Sequence, residues 1–153
     1  MQTKLFTIEN IDEATEEFIE TVRARFSING FEIKDILTAP MNFKRHKMVS
    51  ITVAGKGFKR FKFYVIFQRR WFESFSKYFG IASEAVTINL SILTKICKHG
   101  YDRIVWVSED GSMFWIDPRR MMHLVKERGW IRETRKTGEI VAHVPLEYLT
   151  KIR

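Results

Sequence analysis

The chain has 153 residues, with 26 Lys or Arg against 18 Asp or Glu, a net charge of +8 and a pI near 9.7. A hydrophobic fraction of 45% and an aromatic fraction of 14% exclude a disordered chain and predict a single domain, residues 1–153, with a real core. Cys97 is the one cysteine, which excludes an internal disulfide and a cysteine-based zinc site, and no apolar run approaches the roughly 20 residues that span a bilayer. These features predict a cytoplasmic protein, with no membrane partner, basic enough to attract a polyanion.

Ile11 to Asn29 predicts the first helix, with Asp12 as N-cap and Ala14, Phe18, Val22 and Phe26 as one buried stripe. Glu13, Glu16, Glu17 and Glu20 crowd its first half, where negative charge suits the helix dipole and reads as a solvated face. Asn29-Gly30 ends it in a left-handed cap. Phe31 to Leu37 reads as a first strand and His46 to Val53 as a second. Ala54-Gly55-Lys56-Gly57 is a hairpin turn, since glycines supply the positive φ angles a tight turn needs.

The third strand begins the stretch Phe58 to Phe72, FKRFKFYVIFQRRWF. Phe61, Phe63, Val65 and Phe67 fall on one face. Arg60, Lys62, Tyr64, Gln68 and Arg70 fall on the other, with Ile66 the apolar exception. From Met41 to Phe72 there are nine Lys or Arg and no Asp or Glu. Such a patch attracts nucleic acid, and the expected contacts are Lys44, Arg45, Lys47, Lys56, Lys59, Arg60, Lys62, Arg69 and Arg70, with Tyr64 to stack on unpaired bases.

Trp71 to Gly100 predicts a second helix, or two broken near Gly80, with Ala85, Ile88, Ile92, Leu93 and Ile96 as its apolar face. Arg103 to Val107 and Met113 to Ile116 predict a hairpin across Glu109-Asp110-Gly111. Asp117-Pro118 opens a helix that Gly129 stops. Trp130 to Arg135 and Glu139 to Val144 predict a further hairpin, and Pro145 begins a short final helix.

The order is helix, three strands, helix, strand, then a C-terminal hairpin–helix–hairpin extension. Over roughly residues 11 to 110 it resembles the core of the PD-(D/E)xK nuclease superfamily. The resemblance implies an α/β fold: a central mixed β-sheet flanked by helices, with a restriction-endonuclease-like αβββαβ core. It also implies a metal-dependent phosphodiesterase. In that family the second strand carries an acid, the third carries an acid and a lysine two residues apart, and the first helix often adds a glutamate. Carboxylate oxygens hold Mg2+, which activates water, while the lysine steadies the phosphate.

Laid on this sequence, Gln68 takes the acid position and Arg70 the lysine position. The second strand has no Asp or Glu, and Glu13, Glu16 or Glu20 of the first helix could reach the site but would stand alone there. A rival register uses Glu32-Ile33-Lys34 with Asp35 as metal ligands; its plain alternative is an exposed ion pair. The four histidines have no zinc spacing, and neither a G-x-S-x-G elbow nor a Walker loop is present. The expected function is DNA binding by a nuclease-like domain with a degenerate metal site. Alternatives are an active Mg2+-dependent endonuclease and a basic protein-interaction module. The expected partners are nucleic acid, DNA ahead of RNA, and a second copy in a homodimer.

Overall fold

A computed structural model describes residues 8–68, 73–74 and 84–153. Helix α1, Ile11–Ile28, is capped by Asn10, whose side chain accepts from Glu13 N at 2.9 Å. Asn10 replaces the expected Asp12, which already lies in the first turn and pairs with Lys47 instead. Ala14, Phe18 and Val22 form the buried stripe that their spacing predicts.

Strands β1 (Glu32–Pro40), β2 (His46–Ala54) and β3 (Phe58–Gln68) form an antiparallel meander. The β2–β3 turn uses its two glycines differently. Gly57 has φ 133, while a β-carbon on Gly55 would meet the Phe31 ring at 2.7 Å. After β3 the chain crosses over to β6 (Arg103–Ser108), which runs parallel to β3. Strands β7 (Met113–Ile116) and β10 (Thr150–Lys151) extend this sheet, in the order β1-β2-β3-β6-β7-β10. A central mixed sheet with an αβββαβ core is the expected fold class.

Within the crossover the expected long helix is wrong. Glu84–Asn89 is a strand, β5, and helix α2 covers only Leu90–Lys98. The apolar positions 85, 88, 92, 93 and 96 fit a helical spacing, but β5 pairs antiparallel with β9 (Ile140–Pro145). That pairing supplies backbone partners a local reading does not see. Trp71 and the break at Gly80 lie outside the described residues. The second sheet has the order β4-β5-β9-β8, where β4 is Glu73–Ser74 and β8 is Ile131–Glu133.

Helix α3, Pro118–Arg128, is built as its sequence predicts. Asp117 caps it, Pro118 opens it, and Gly129 ends it at φ 67. The expected final helix shrinks to one 3-10 turn, Leu146–Tyr148, followed by β10.

Two cores result. One lies under α1 and uses Phe18, Val22, Phe63, Val65, Phe67 and Val107. The other lies across the opposite sheet face, where Tyr64, Ile66, Ile104 and Trp106 meet α2, α3 and the second sheet. Both faces of the lower half of β3 are therefore covered, so its sequence alternates without a wet face there.

Candidate nucleic-acid interface

The alternation of β3 decides where each candidate side chain can go. Odd positions face α1, and Tyr64 and Ile66 belong to the opposite core. Alternation sends Arg60, Lys62 and Gln68 to that same side. In the register Arg60 stands opposite Thr52 and Thr52 opposite Asp35; Lys62 stands opposite Ser50 and Ser50 opposite Leu37. Near the hairpin tip this face stays open: Asp35, Leu37 and Arg60 are exposed.

The expected cations fall into two groups. Lys56, Lys59 and Arg60 stand exposed around the tip, beside Phe58, which is 78% exposed. Lys44 and Arg45 stand exposed at the far end, where Arg45 O accepts from Phe67 N at 2.8 Å. None of these five makes an ion pair among the described residues. Arg60 to Phe67 is seven residues of strand, roughly 23 Å. The row is about as long as seven base pairs of duplex.

Two other expected contacts are engaged within the fold. Lys47 pairs with Asp12 at 2.6 Å on the α1 side. Lys62 Nζ donates to His99 O at 2.6 Å and sits 4.3 Å from the centre of the Tyr101 ring. Tyr64 corrects the sequence expectation: it is 2% exposed, so its ring cannot stack on a base. Its hydroxyl lies 2.7 Å from His46 Nδ1. Burial, and then the neighbouring Tyr101, push the phenol up, while burial pushes the His46 imidazole down to about 4. Arg69 and Arg70 lie outside the described residues.

The expected metal ligands are not brought together. Glu16 and Glu20 are exposed on α1, which covers the odd face of β3; Gln68 belongs to the other face, with the sheet between them. Glu20 pairs instead with Arg23 at 3.5 Å. Glu32 and Asp35 lie on β1 at the hairpin-tip end. Asp35 registers through Thr52 with Arg60, eight residues and roughly 26 Å of strand from Gln68. Glu32 pairs with Lys34 at 3.1 Å, an exposed contact worth little.

Mg2+ asks for several carboxylate or carbonyl oxygens around one point. Gln68 offers one neutral oxygen and β2 offers no acid. The nearest acids by backbone contact are Glu109, whose N–H donates to Gln68 O at 2.9 Å, and its neighbour Asp110. Asp110 is already occupied. Burial pushes its carboxyl up, but hydrogen bonds from Ser108 and Ser112 outweigh this and hold it below its usual value. No group of three or more His, Cys, Asp or Glu fit to hold a metal occurs among the described residues. This donor set does not fit the metal centre that the resemblance implies.

His143 is a second buried imidazole that the sequence does not single out. It is wholly buried, pushed down to about 4 by burial and then by Arg132. Both histidines have folded pKa values below the ordinary 6.5, so the unfolded chain binds more protons as pH falls. Stability is then full above about pH 6.5 and is lost on the way down to pH 4. The expected loss is about 3 kcal/mol for the pair by pH 4.5, discounted for the partial exposure of His46. Urea midpoints at pH 7.0 and 4.5 test this, and a His46→Gln, His143→Gln variant should show a flatter acid limb than the unaltered chain.

No protein-family model matches the chain, and no curated protein matches it. Among solved structures it is similar to a nuclease from a fusselovirus, with a TM-score of 0.54 at 11% identity, over 91% of this chain and 81% of that one. What the two share is the fold, which is therefore nuclease-like.

Proposed function

We propose that the chain is a cytoplasmic, single-domain DNA-binding protein that uses a nuclease-like fold of the PD-(D/E)xK kind with a degenerate metal site. The observation that carries the reading is the row of Lys44, Arg45, Lys56, Lys59 and Arg60. These cations are exposed and without ion pairs among the described residues, at the two ends of one strand pair. Exposed cations without ion pairs gain most from phosphate, because each contact releases a condensed counterion. The fold adds to this, since the structurally similar protein is a nuclease. The missing acids at Gln68 and along β2 argue that the chain holds DNA without cutting it.

The test is a gel assay with labelled duplex, single-stranded and branched DNA over a salt series, in EDTA and then in Mg2+ or Mn2+. Salt-sensitive shifts without cleavage are the expected result. Cleavage that requires the metal would overturn the degenerate site and turn attention to Glu109 and Asp110 beside Gln68. No shift at low salt would remove DNA and leave RNA or a protein partner.

A further inference from the structure

The loop before β2 closes one side of a cleft of about 210 Å³. Its opposite wall is the carboxyl end of α2, with Lys95 and His99, and Tyr101 just beyond. Tyr64 forms the floor, and its ring meets that of Tyr101 edge-on at 5.5 Å. Phe43, 49% exposed, and Asn42 stand at the loop side. No strand-end cation and no expected metal ligand lines this cleft.

We propose that this cleft receives one unpaired nucleobase of a bound DNA strand, while Lys44 and Arg45 hold the neighbouring phosphates at its mouth. The inference rests on the DNA-binding reading and adds to it the kind of DNA preferred.

Size, wall chemistry and charge point to the same occupant. Sites that enclose a drug-sized molecule measure about 300–1,000 Å³, so this cleft suits one flat ring system and not a folded peptide segment. The Phe43 and Tyr101 rings offer faces and edges, which every base can stack against whatever its sequence, while the buried Tyr64 only closes the floor. The Asn42 amide carries both donor and acceptor, and the His99 ring adds another polar edge, as a base perimeter requires.

The phosphate belongs outside. The carboxyl end of α2 carries partial negative charge, which Lys95 of its last turn already offsets in the cleft wall, and the nearby Lys62 ammonium is bound to His99 O. Lys44 and Arg45 follow Phe43 directly, are exposed and have no ion pair among the described residues. A base in the cleft therefore places its own backbone against two cations without partners. A paired base has to be pulled from its stack at a cost, so DNA with a base already unpaired is favoured.

The experiment compares three duplexes of one length: perfect, with a one-nucleotide bulge, and with an abasic residue at the same bulge. Binding is measured at fixed salt. The base bulge should bind about 10-fold more tightly than the abasic bulge, as one stacked base gives. Phe43→Ala should erase that difference and Phe43→Trp should restore it. Asn42→Ala should change the ranking of the four bases at the bulge.

Equal affinity for base and abasic bulges, with salt-sensitive binding intact, would overturn the base cleft and leave the DNA-binding reading standing. It would also turn attention to an aromatic side chain of a protein partner as the occupant. No binding of any of the three at low salt would overturn both. Equal losses for both bulges in Phe43→Ala would overturn the cleft as well.

Discussion

Replacing Lys44, Arg45, Lys59 and Arg60 together by Ala should lower affinity for duplex DNA by roughly 1,000-fold at 0.1 M salt. It should also reduce the slope of log K against log salt by about 3.6, since each lost phosphate contact removes about 0.9. The size follows from the position of these cations, exposed at both ends of the β2–β3 pair and without ion pairs among the described residues. Lys47 and Lys62, from the same basic stretch, should matter less, because Asp12 and the His99 carbonyl already hold them. A matched change of Lys126 and Arg128 on α3 serves as control and should leave the slope nearly intact. An unaltered slope in the fourfold variant would mean that this row does not meet phosphate.

Phe63→Ala should cost about 3–5 kcal/mol and lower the melting temperature by roughly 10 °C. Phe63 is buried where α1 meets the sheet. Its ring stands edge-on to Phe18 at 5.1 Å and stacks on Trp115 at 6.0 Å. Removing it opens a cavity between α1 and the sheet, beside the Phe18 and Trp115 rings. Phe58→Ala, on the same strand, should stay within about 0.5 kcal/mol because its ring is largely in water. Thermal melts of the two variants side by side check the assignment of strand faces. Similar shifts in both would contradict it.

Those two phenylalanines also show what the sequence could convey. Local rules were enough for the β1–β2–β3 meander, where alternation and the Gly55–Gly57 turn agree. They were enough for α3, where Asp117, Pro118 and Gly129 mark both ends. They failed where a distant strand decides. Ala85, Val86 and Ile88 become a strand because β9 pairs with them from more than fifty residues away. The wet face expected for Tyr64 and Ile66 depended on there being one layer over the sheet, and a second sheet with α2 and α3 supplies another.

The candidate site divided in the same way. The exposed cations were legible as a run without acids. The metal residues were not, because Glu16, Glu20, Glu32 and Asp35 are close to the basic strands in sequence order but separated by the sheet itself or by most of a strand's length. The cleft over Tyr64 has no local signal for a related reason. Its walls come from three segments, around residues 42, 64 and 99, that share no local pattern.

The core under α1 draws on residues from opposite ends of the described chain. Ile8 N donates to Glu109 O at 2.7 Å, Ile152 packs into the same core, and Ile152 N donates to Met113 O at 2.9 Å. The parallel β3–β6 pair likewise joins residues forty positions apart. Such distant pairings put this chain among slow folders, because long loops must close before their contacts repay the entropy. While ribosomal synthesis has yet to reach residue 150, the β7 edge has no neighbour on its outer side and the apolar face of α1 lacks part of its cover. In that nascent interval the open β7 edge can pair with another chain in place of β10.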